Sequence, residues 1–231
     1  MSTIIHVVRH GRIPNYDTDQ SLTAEGREEA LAVGRGLAAL IQPGETIRFC
    51  SSPARRARET AALLCQGITN TVAETRTDVT VVTPIAVDDR LQNNQFYLNG
   101  SSYDPMIPLL DVAHWRVQST PSPENEAFLA YQTEFWSASD PVTYWLTHPS
   151  PLAESPAAVV ERLQACLKER LTGQENNNSL HREICVTHSA NIRAFLRQVF
   201  GRDPGPPAFS GLLTISAGQV EYQGQVADFS L

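Results

Sequence analysis

Two histidines in this chain stand directly after apolar, β-branched runs. His10 follows Thr3 to Val8 and Arg9, and His188 follows Ile184-Cys185-Val186-Thr187. Continuous runs of this kind predict strands buried on both faces, as in a parallel sheet. In such sheets ligands bind beyond the carboxyl ends of the strands. Arg9 adjoins the first histidine, and Arg56 falls in the first turn of a helix expected after a second strand at Ile47, Phe49 and Cys50. Helix starts are read at Ser52-Pro53 and after Ser189, each presenting free backbone N–H groups and a positive dipole end. Two imidazoles, two guanidiniums and two helix starts on one sheet edge suit a phosphoryl group.

The elements that must position these groups alternate regularly. Thr23 opens a helix carrying Ala30, Val33, Leu37 and Leu40 at helical spacing, ended by Pro43-Gly44. The helix from Ser52-Pro53 has Ala57, Ala61 and Leu64 as its apolar stripe, and Val79 to Val82 is a third strand. Ser155-Pro156 starts a helix running to Leu171, and another runs from about Asn191 to Phe200, closed by Gly201. Leu212 to Ser216 and Gln219 to Tyr222 read as a closing hairpin. This order predicts an α/β fold, a three-layer sandwich around a mostly parallel sheet. Residues 84–156 break the alternation: they hold 9 of the 15 prolines, all three tryptophans and a helical stretch from Glu126 to Trp136. We read 1–231 as one domain with an insertion at about 84–156 lying over the pocket as a lid, where a loop would carry substrate selectivity.

Composition excludes several alternatives. Of the 18 basic residues, Lys168 is the sole lysine, and it sits in a helical pattern with no glycine-rich loop before it. Schiff-base and P-loop chemistry therefore lack a residue to carry them. A net charge of −7 with no basic stripe argues against nucleic acid as partner. No apolar run approaches the ~20 residues a membrane span needs, and the N-terminus lacks the basic region and cleavage site of a secretory signal. Cys50, Cys65, Cys166 and Cys185 show no CxxC spacing, which fits reduced thiols in a cytoplasmic protein rather than a metal or redox site. No metal or cofactor is expected. By default His6 is structural, and His114, His148 and His181 are loop or surface residues.

Five ordered blocks resemble the histidine phosphatase superfamily, the phosphoglycerate mutase-like proteins of the RHG branch. They are Arg9-His10-Gly11; Leu22-Thr23-Ala24-Glu25-Gly26-Arg27; the run from Ser51-Ser52-Pro53 through Arg56 to Thr60-Ala61; Glu154-Ser155 with Arg162; and Val186-Thr187-His188-Ser189. The resemblance implies that His10 attacks phosphorus as a neutral imidazole, giving a phosphohistidine that water hydrolyses. It further implies that Arg9, Arg56 and His188 stabilise the non-bridging oxygens. Asn15 and Ser189 are carried over as substrate-binding positions, with Asn15 one residue closer to His10 than in the commonest pattern. The substrate is expected to be a phosphomonoester or phosphoramidate on a small molecule or a protein.

One departure stands out. Many members carry a general-acid glutamate shortly after the third strand, and here Asn93 aligns with it. Asparagine cannot protonate a leaving alkoxide. Asp88, Asp89, Glu124 or Glu126 could serve instead, or the substrate could have a good leaving group. A binding protein without catalysis on the same fold, or a mutase-type phosphotransferase, are the competing functions.

Overall fold

The computed structural model describes residues 3–16, 19–75, 78–105, 122–172 and 180–230. His114 and Trp115, both noted above, lie outside the described residues. In chain order the strands are β1 (Thr3–Arg9), β2 (Thr46–Ser51), β3 (Thr80–Val81), β4 (Ala86–Val87), β5 (Phe96–Leu98), β6 (Ser101–Tyr103), β7 (His181–Thr187), β8 (Leu212–Ser216), β9 (Gln219–Tyr222) and β10 (Gln225–Asp228). The helices are α1 (Ala24–Ala38), α2 (Arg55–Thr75), α3 (Pro123–Ser137), α4 (Pro141–Thr147), α5 (Pro156–Thr172) and α6 (Ser189–Phe200), with a 3-10 turn at Asp89–Leu91. The main sheet runs β10-β9-β8-β1-β7-β2-β3, with β4 also on β2. β1, β7, β2, β3 and β4 are mutually parallel, and β8 to β10 add an antiparallel edge.

Helices cover both faces of this sheet. Ile5 and Val7 of β1 enter one apolar cluster with α5, α6 and the aromatics of α3 and α4; Val8 enters a second with α1 and α2. Odd and even positions thus divide between two cores, as the strand period requires. All seven residues of β7 are buried. Aromatic residues of the 84–156 stretch, among them Phe96, Phe128, Phe135 and Trp145, pack in the same cluster as Ile5 and Val7.

Thr23 caps α1 as the sequence predicts, its hydroxyl accepting from the Gly26 N–H at 2.9 Å. Leu40, however, lies beyond the helix and is 54% exposed. Helix α2 starts at Arg55 rather than at Pro53. Within this helix start the Ser52 hydroxyl accepts from Ala54 N at 3.3 Å, while the Arg55 N–H donates to both oxygens of Asp19, at 3.0 and 2.8 Å. That helix end is capped by a carboxylate distant in sequence. Helix α6 begins earlier than expected, at Ser189, with His188 in the N-cap position. Helix α4 and strands β4, β5, β6 and β10 lie where the sequence pattern predicts no element.

Helices α1 and α2 meet backbone to backbone. A Cβ on Gly34 would lie 2.6 Å from the Leu64 carbonyl oxygen, and one on Gly67 2.6 Å from that of Leu31. At the start of α1, a Cβ on Gly26 would lie 2.5 Å from the Arg12 carbonyl oxygen. Only glycine permits these approaches.

Candidate active site

The parallel register brings the three strand ends together. Arg9 stands opposite Thr187, and Ser51 opposite Val186. His10 N then bonds Thr187 O and Ser52 N bonds Val186 O, each at 2.9 Å. His10, His188 and Ser52 consequently leave the sheet side by side. The His10 and His188 rings lie 5.3 Å apart, centroid to centroid.

Both imidazole tautomers follow from their partners. His10 Nδ1 is 2.9 Å from the Gly11 carbonyl oxygen, which can only accept, so Nδ1 carries the proton. Nε2 keeps its lone pair and has no hydrogen bond among the described residues. His188 is the opposite case: Nδ1 is 3.1 Å from Arg56 Nη2, which can only donate, and Nε2–H donates to Ser52 Oγ at 2.8 Å. Burial, and after it the Arg56 guanidinium, holds both rings well below the ordinary histidine pKa, with Arg9 adding to the effect at each. Both are neutral imidazoles at neutral pH.

The two arginines are fixed from several sides. Arg9 donates to the Pro207 carbonyl at 2.5 Å and to the Tyr16 hydroxyl at 3.1 Å, and its guanidinium carbon lies 3.9 Å from the centre of the Phe209 ring. Arg56 is 1% exposed and donates to Asp19 Oδ1, Asp104 Oδ2 and His188 Nδ1, each at 3.1 Å. Thr60, one turn along α2, joins that helix to the RHG loop. Its hydroxyl donates to the Arg56 carbonyl at 2.6 Å and accepts from Gly11 N at 2.9 Å. A second clamp holds the 90–95 segment: Arg162 donates to Glu154, to the Arg90 carbonyl at 2.6 Å and to the Asn93 carbonyl at 3.1 Å. Glu154 in turn accepts from Gln95 N.

These groups open onto a cavity of about 180 Å³ whose wall includes Arg9, His10, Arg56, His188, Ser189, Asn93 and Asn94. Pro105, Phe135, Trp136 and Pro141, all from the 84–156 stretch, also line it. Several buried atoms of wall residues have no partner among the described residues: Arg9 Nε, Arg56 Nε, Asn94 Nδ2 and Ser189 Oγ. Three of these are obligate donors, and an unpartnered buried donor costs about 1–3 kcal/mol. A ligand made of acceptors would satisfy them.

The structure therefore brings together five of the six residues singled out from the sequence: Arg9, His10, Arg56, His188 and Ser189. Asn15 it does not. That side chain is exposed outside the cavity wall and accepts from Gln20. None of the four carboxylates considered as replacement acids reaches the cavity either. Asp88 is bound by Arg90 and Arg170, Asp89 and Glu126 are exposed, and Glu124 accepts from Asn99 N. Unforeseen contributors are Asp19 and Asp104 on Arg56, Asn94, and Arg193, a wall residue bound to Asp140, Asp203 and Thr143. Arg193 is fully engaged and braces the 203–209 loop against α4 rather than facing a ligand as an open cation. Arg55 and Arg58 lie on the exposed face of α2.

His6 is buried and bonded within the fold, and His148 is exposed and stacks on Tyr144; His181, expected on a loop or the surface, is instead buried at the start of β7, with Nδ1 3.1 Å from Arg48 Nη1. All four cysteines are free thiols, three of them buried. Among the described residues no cluster of three or more metal-ligating side chains occurs, and no helix is long and apolar enough to cross a membrane.

Solved structures share this fold at low identity. A phosphoglycerate mutase from Bacillus anthracis is 15% identical, with 100% of this chain and 92% of that one covered at a TM-score of 0.59. A mycobacterial protein described as hydrolase 1 is 16% identical, covering 96% and 92% at 0.55. A mycobacterial glucosyl-3-phosphoglycerate phosphatase in complex with VO3 is 17% identical, covering 97% and 95% at 0.54. No curated protein matches the sequence. A family model does, over residues 5–79 and 115–229, which spans every block named above and omits 80–114. The chain belongs to the histidine phosphatase superfamily, branch 1.

Proposed function

We propose that this protein is a phosphatase that hydrolyses a phosphomonoester or phosphoramidate through a phosphohistidine on His10. The observation that carries the reading is the His10 tautomer. The Gly11 carbonyl holds the proton on Nδ1 and leaves the Nε2 lone pair on the cavity side of two guanidiniums. In the first step the Nε2–P bond forms as the bond from phosphorus to the leaving group breaks. In the second, water attacks phosphorus and the P–N bond breaks, releasing inorganic phosphate.

Positioning and electrostatics do the rest. Arg9 and Arg56 face the non-bridging oxygens, and the unpartnered Asn94 amide adds a donor beside them. Ser189 contributes a hydroxyl at the start of α6. His188 serves first by accepting from Arg56, which aims that guanidinium. Its Nε2–H reaches phosphate by exchanging the Ser52 hydroxyl for a phosphoryl oxygen. The solved mutase and phosphatase of like fold are named for phosphorylated small molecules, and a substrate of that class fits a cavity of about 180 Å³.

The test is His10→Ala assayed on an aryl phosphate, with acid-quench trapping of the wild-type phosphoenzyme. Loss of a nucleophile is expected to lower turnover by roughly 10³-fold or more. Undiminished hydrolysis in the variant would refute the reading. Wild-type protein that binds phosphate but yields no acid-labile phosphoenzyme would instead be a phospho-ligand-binding member of the fold.

A further inference from the structure

We propose that Asp104 is the proton donor to the leaving group, held at its post by Asn93 and Arg56. The proposal rests on the phosphohistidine reading and supplies the acid that reading lacks. By the resemblance Asn93 aligns with the acid that many members carry, and the family model has no match over 80–114, the stretch containing both residues. The amide at Asn93 still points to a carboxylate: Asn93 Nδ2 donates to Asp104 Oδ1 at 3.2 Å. The other oxygen, Oδ2, lies 3.1 Å from Arg56 Nη2, the same nitrogen that faces His188. Asp104 is thus one contact from the phosphate-binding guanidinium and one from the vacated acid position.

Its delivery there is built into the chain. Asn99 and Gly100, both with positive φ, turn the β5–β6 hairpin, and the buried Phe96 and Leu98 anchor it. Asp104 follows directly after β6. Asn93 is itself pinned through its carbonyl by Arg162 and Gln95. Asp104 adjoins three wall residues, Asn93, Arg56 and Pro105, without being one itself, and two further carboxylates stand nearby. Asp19 spends both oxygens on Arg55 N and one also on Arg56, and Asp140 caps α4 while pairing Arg193. The Asp104 side chain is 34% exposed, enough to exchange protons with water.

The step balances as follows. A phosphate dianion binding at Arg56 competes with Asp104 for the guanidinium, and Asp104 enters the step as the carboxylic acid. As His10 Nε2 bonds to phosphorus and the ester P–O bond breaks, the acid proton passes to the departing oxygen. In the second step the Asp104 carboxylate takes a proton from the attacking water while the P–N bond breaks, restoring the starting state.

The experiment compares Asp104→Asn with wild type on an alkyl phosphate, β-glycerophosphate, and an aryl phosphate, p-nitrophenyl phosphate, with phosphoenzyme trapping on the aryl ester. Loss of a general acid is expected to cost about 10²-fold or more on the alkyl ester. The loss on the aryl ester, whose leaving group needs no proton, is expected to stay below about 10-fold. The double variant Asn93→Glu/Asp104→Asn is expected to recover alkyl turnover, and it also guards against a fold defect in the single one. Equal losses on the two esters, with phosphoenzyme present, would make Asp104 a mere counter-ion of Arg56 and overturn the proposal alone. Absence of phosphoenzyme in wild type would overturn the phosphohistidine reading and this proposal with it.

Discussion

Strand β1 carries a histidine inside it and one just past its carboxyl end, and both meet a buried arginine. His6 has both ring nitrogens engaged, Nδ1 with Thr214 Oγ1 at 3.1 Å and Nε2 with Arg182 Nη1 at 2.6 Å. Arg182 is in turn saturated by Glu45 and the Leu40 carbonyl, and Glu45 is 0% exposed. At His10 one nitrogen is engaged and the other is bare, and Arg56 keeps its Nε–H without a partner among the described residues. Both imidazoles are pushed towards the neutral form by burial and a guanidinium. A shifted titration therefore does not tell the two sites apart. Saturation does: the inner network has spent its hydrogen-bonding capacity on the fold, whereas the outer one holds some in reserve for a ligand.

The difference can be broken from either side. The largest effect is expected from Arg182→Met, which strands the buried Glu45 carboxylate and should cost about 3–5 kcal/mol of stability. Urea unfolding would read that loss, with turnover per folded molecule unchanged. Adding Glu45→Gln should return much of it, since removing both charges relieves the unpaired ion. If Arg182→Met lowered turnover of the folded enzyme instead, the inner network would not be purely structural.

Next in size is Arg56→Lys. A lysine offers one point charge where the guanidinium reaches His188, Asp19 and Asp104 together. We expect kcat/KM on an aryl phosphate to fall by on the order of 10²-fold. The unfolding midpoint should move little, because the carboxylates paired with Arg56 are substantially exposed. A large stability loss with intact turnover would reverse the assignment of the two sites.

The smallest effect is a change of slope. His6 is lowered from 6.5 to about 3 in the fold, by burial first and Arg182 second, so the unfolded chain binds the proton more readily. Its contribution to stability is complete above pH 6.5 and is lost as pH falls from 6.5 towards about 3. One such group is worth at most about 1.4 kcal/mol per pH unit. His10 and His188 are shifted in the same direction and add to the acid loss. In His6→Gln, urea titrations across that window should show a shallower decline by up to one proton. An unchanged slope would mean that His6 does not titrate on unfolding.

Much of this site is legible in the sequence because its parts are local. The Arg9-His10-Gly11 block, the Thr23 cap and the strand before His188 each combine a periodic run with its terminating residues, and all recur in the fold. What escapes is whatever depends on chain returning from a distance. Asp104 meets Arg56 only because the β5–β6 hairpin folds back, and Asp19 caps α2 from the far side of α1. A signal for the first was present: Asn99-Gly100 between alternating apolar residues is a strong short-range hairpin sign. The second has no such mark, since an aspartate in a loop carries nothing to say which helix end it will meet. Asn15, whose spacing from His10 is one residue short of the commonest pattern, lies outside the cavity wall.

The close glycine contacts of α1 give the cavity its alignment. Gly26 seats the start of that helix on the backbone of Arg12, two residues past His10, and Gly34 seats its middle against α2, which carries Arg56. A helix that contributes no residue to the cavity wall thus acts as the common datum from which His10 and the Arg56 guanidinium are both measured. Filling Gly34 to stiffen α1, a routine gain in many helices, would here push α2 outward and carry the Arg56 helix away from His10. The tolerance of this geometry is set away from the cavity, by side chains that are not there.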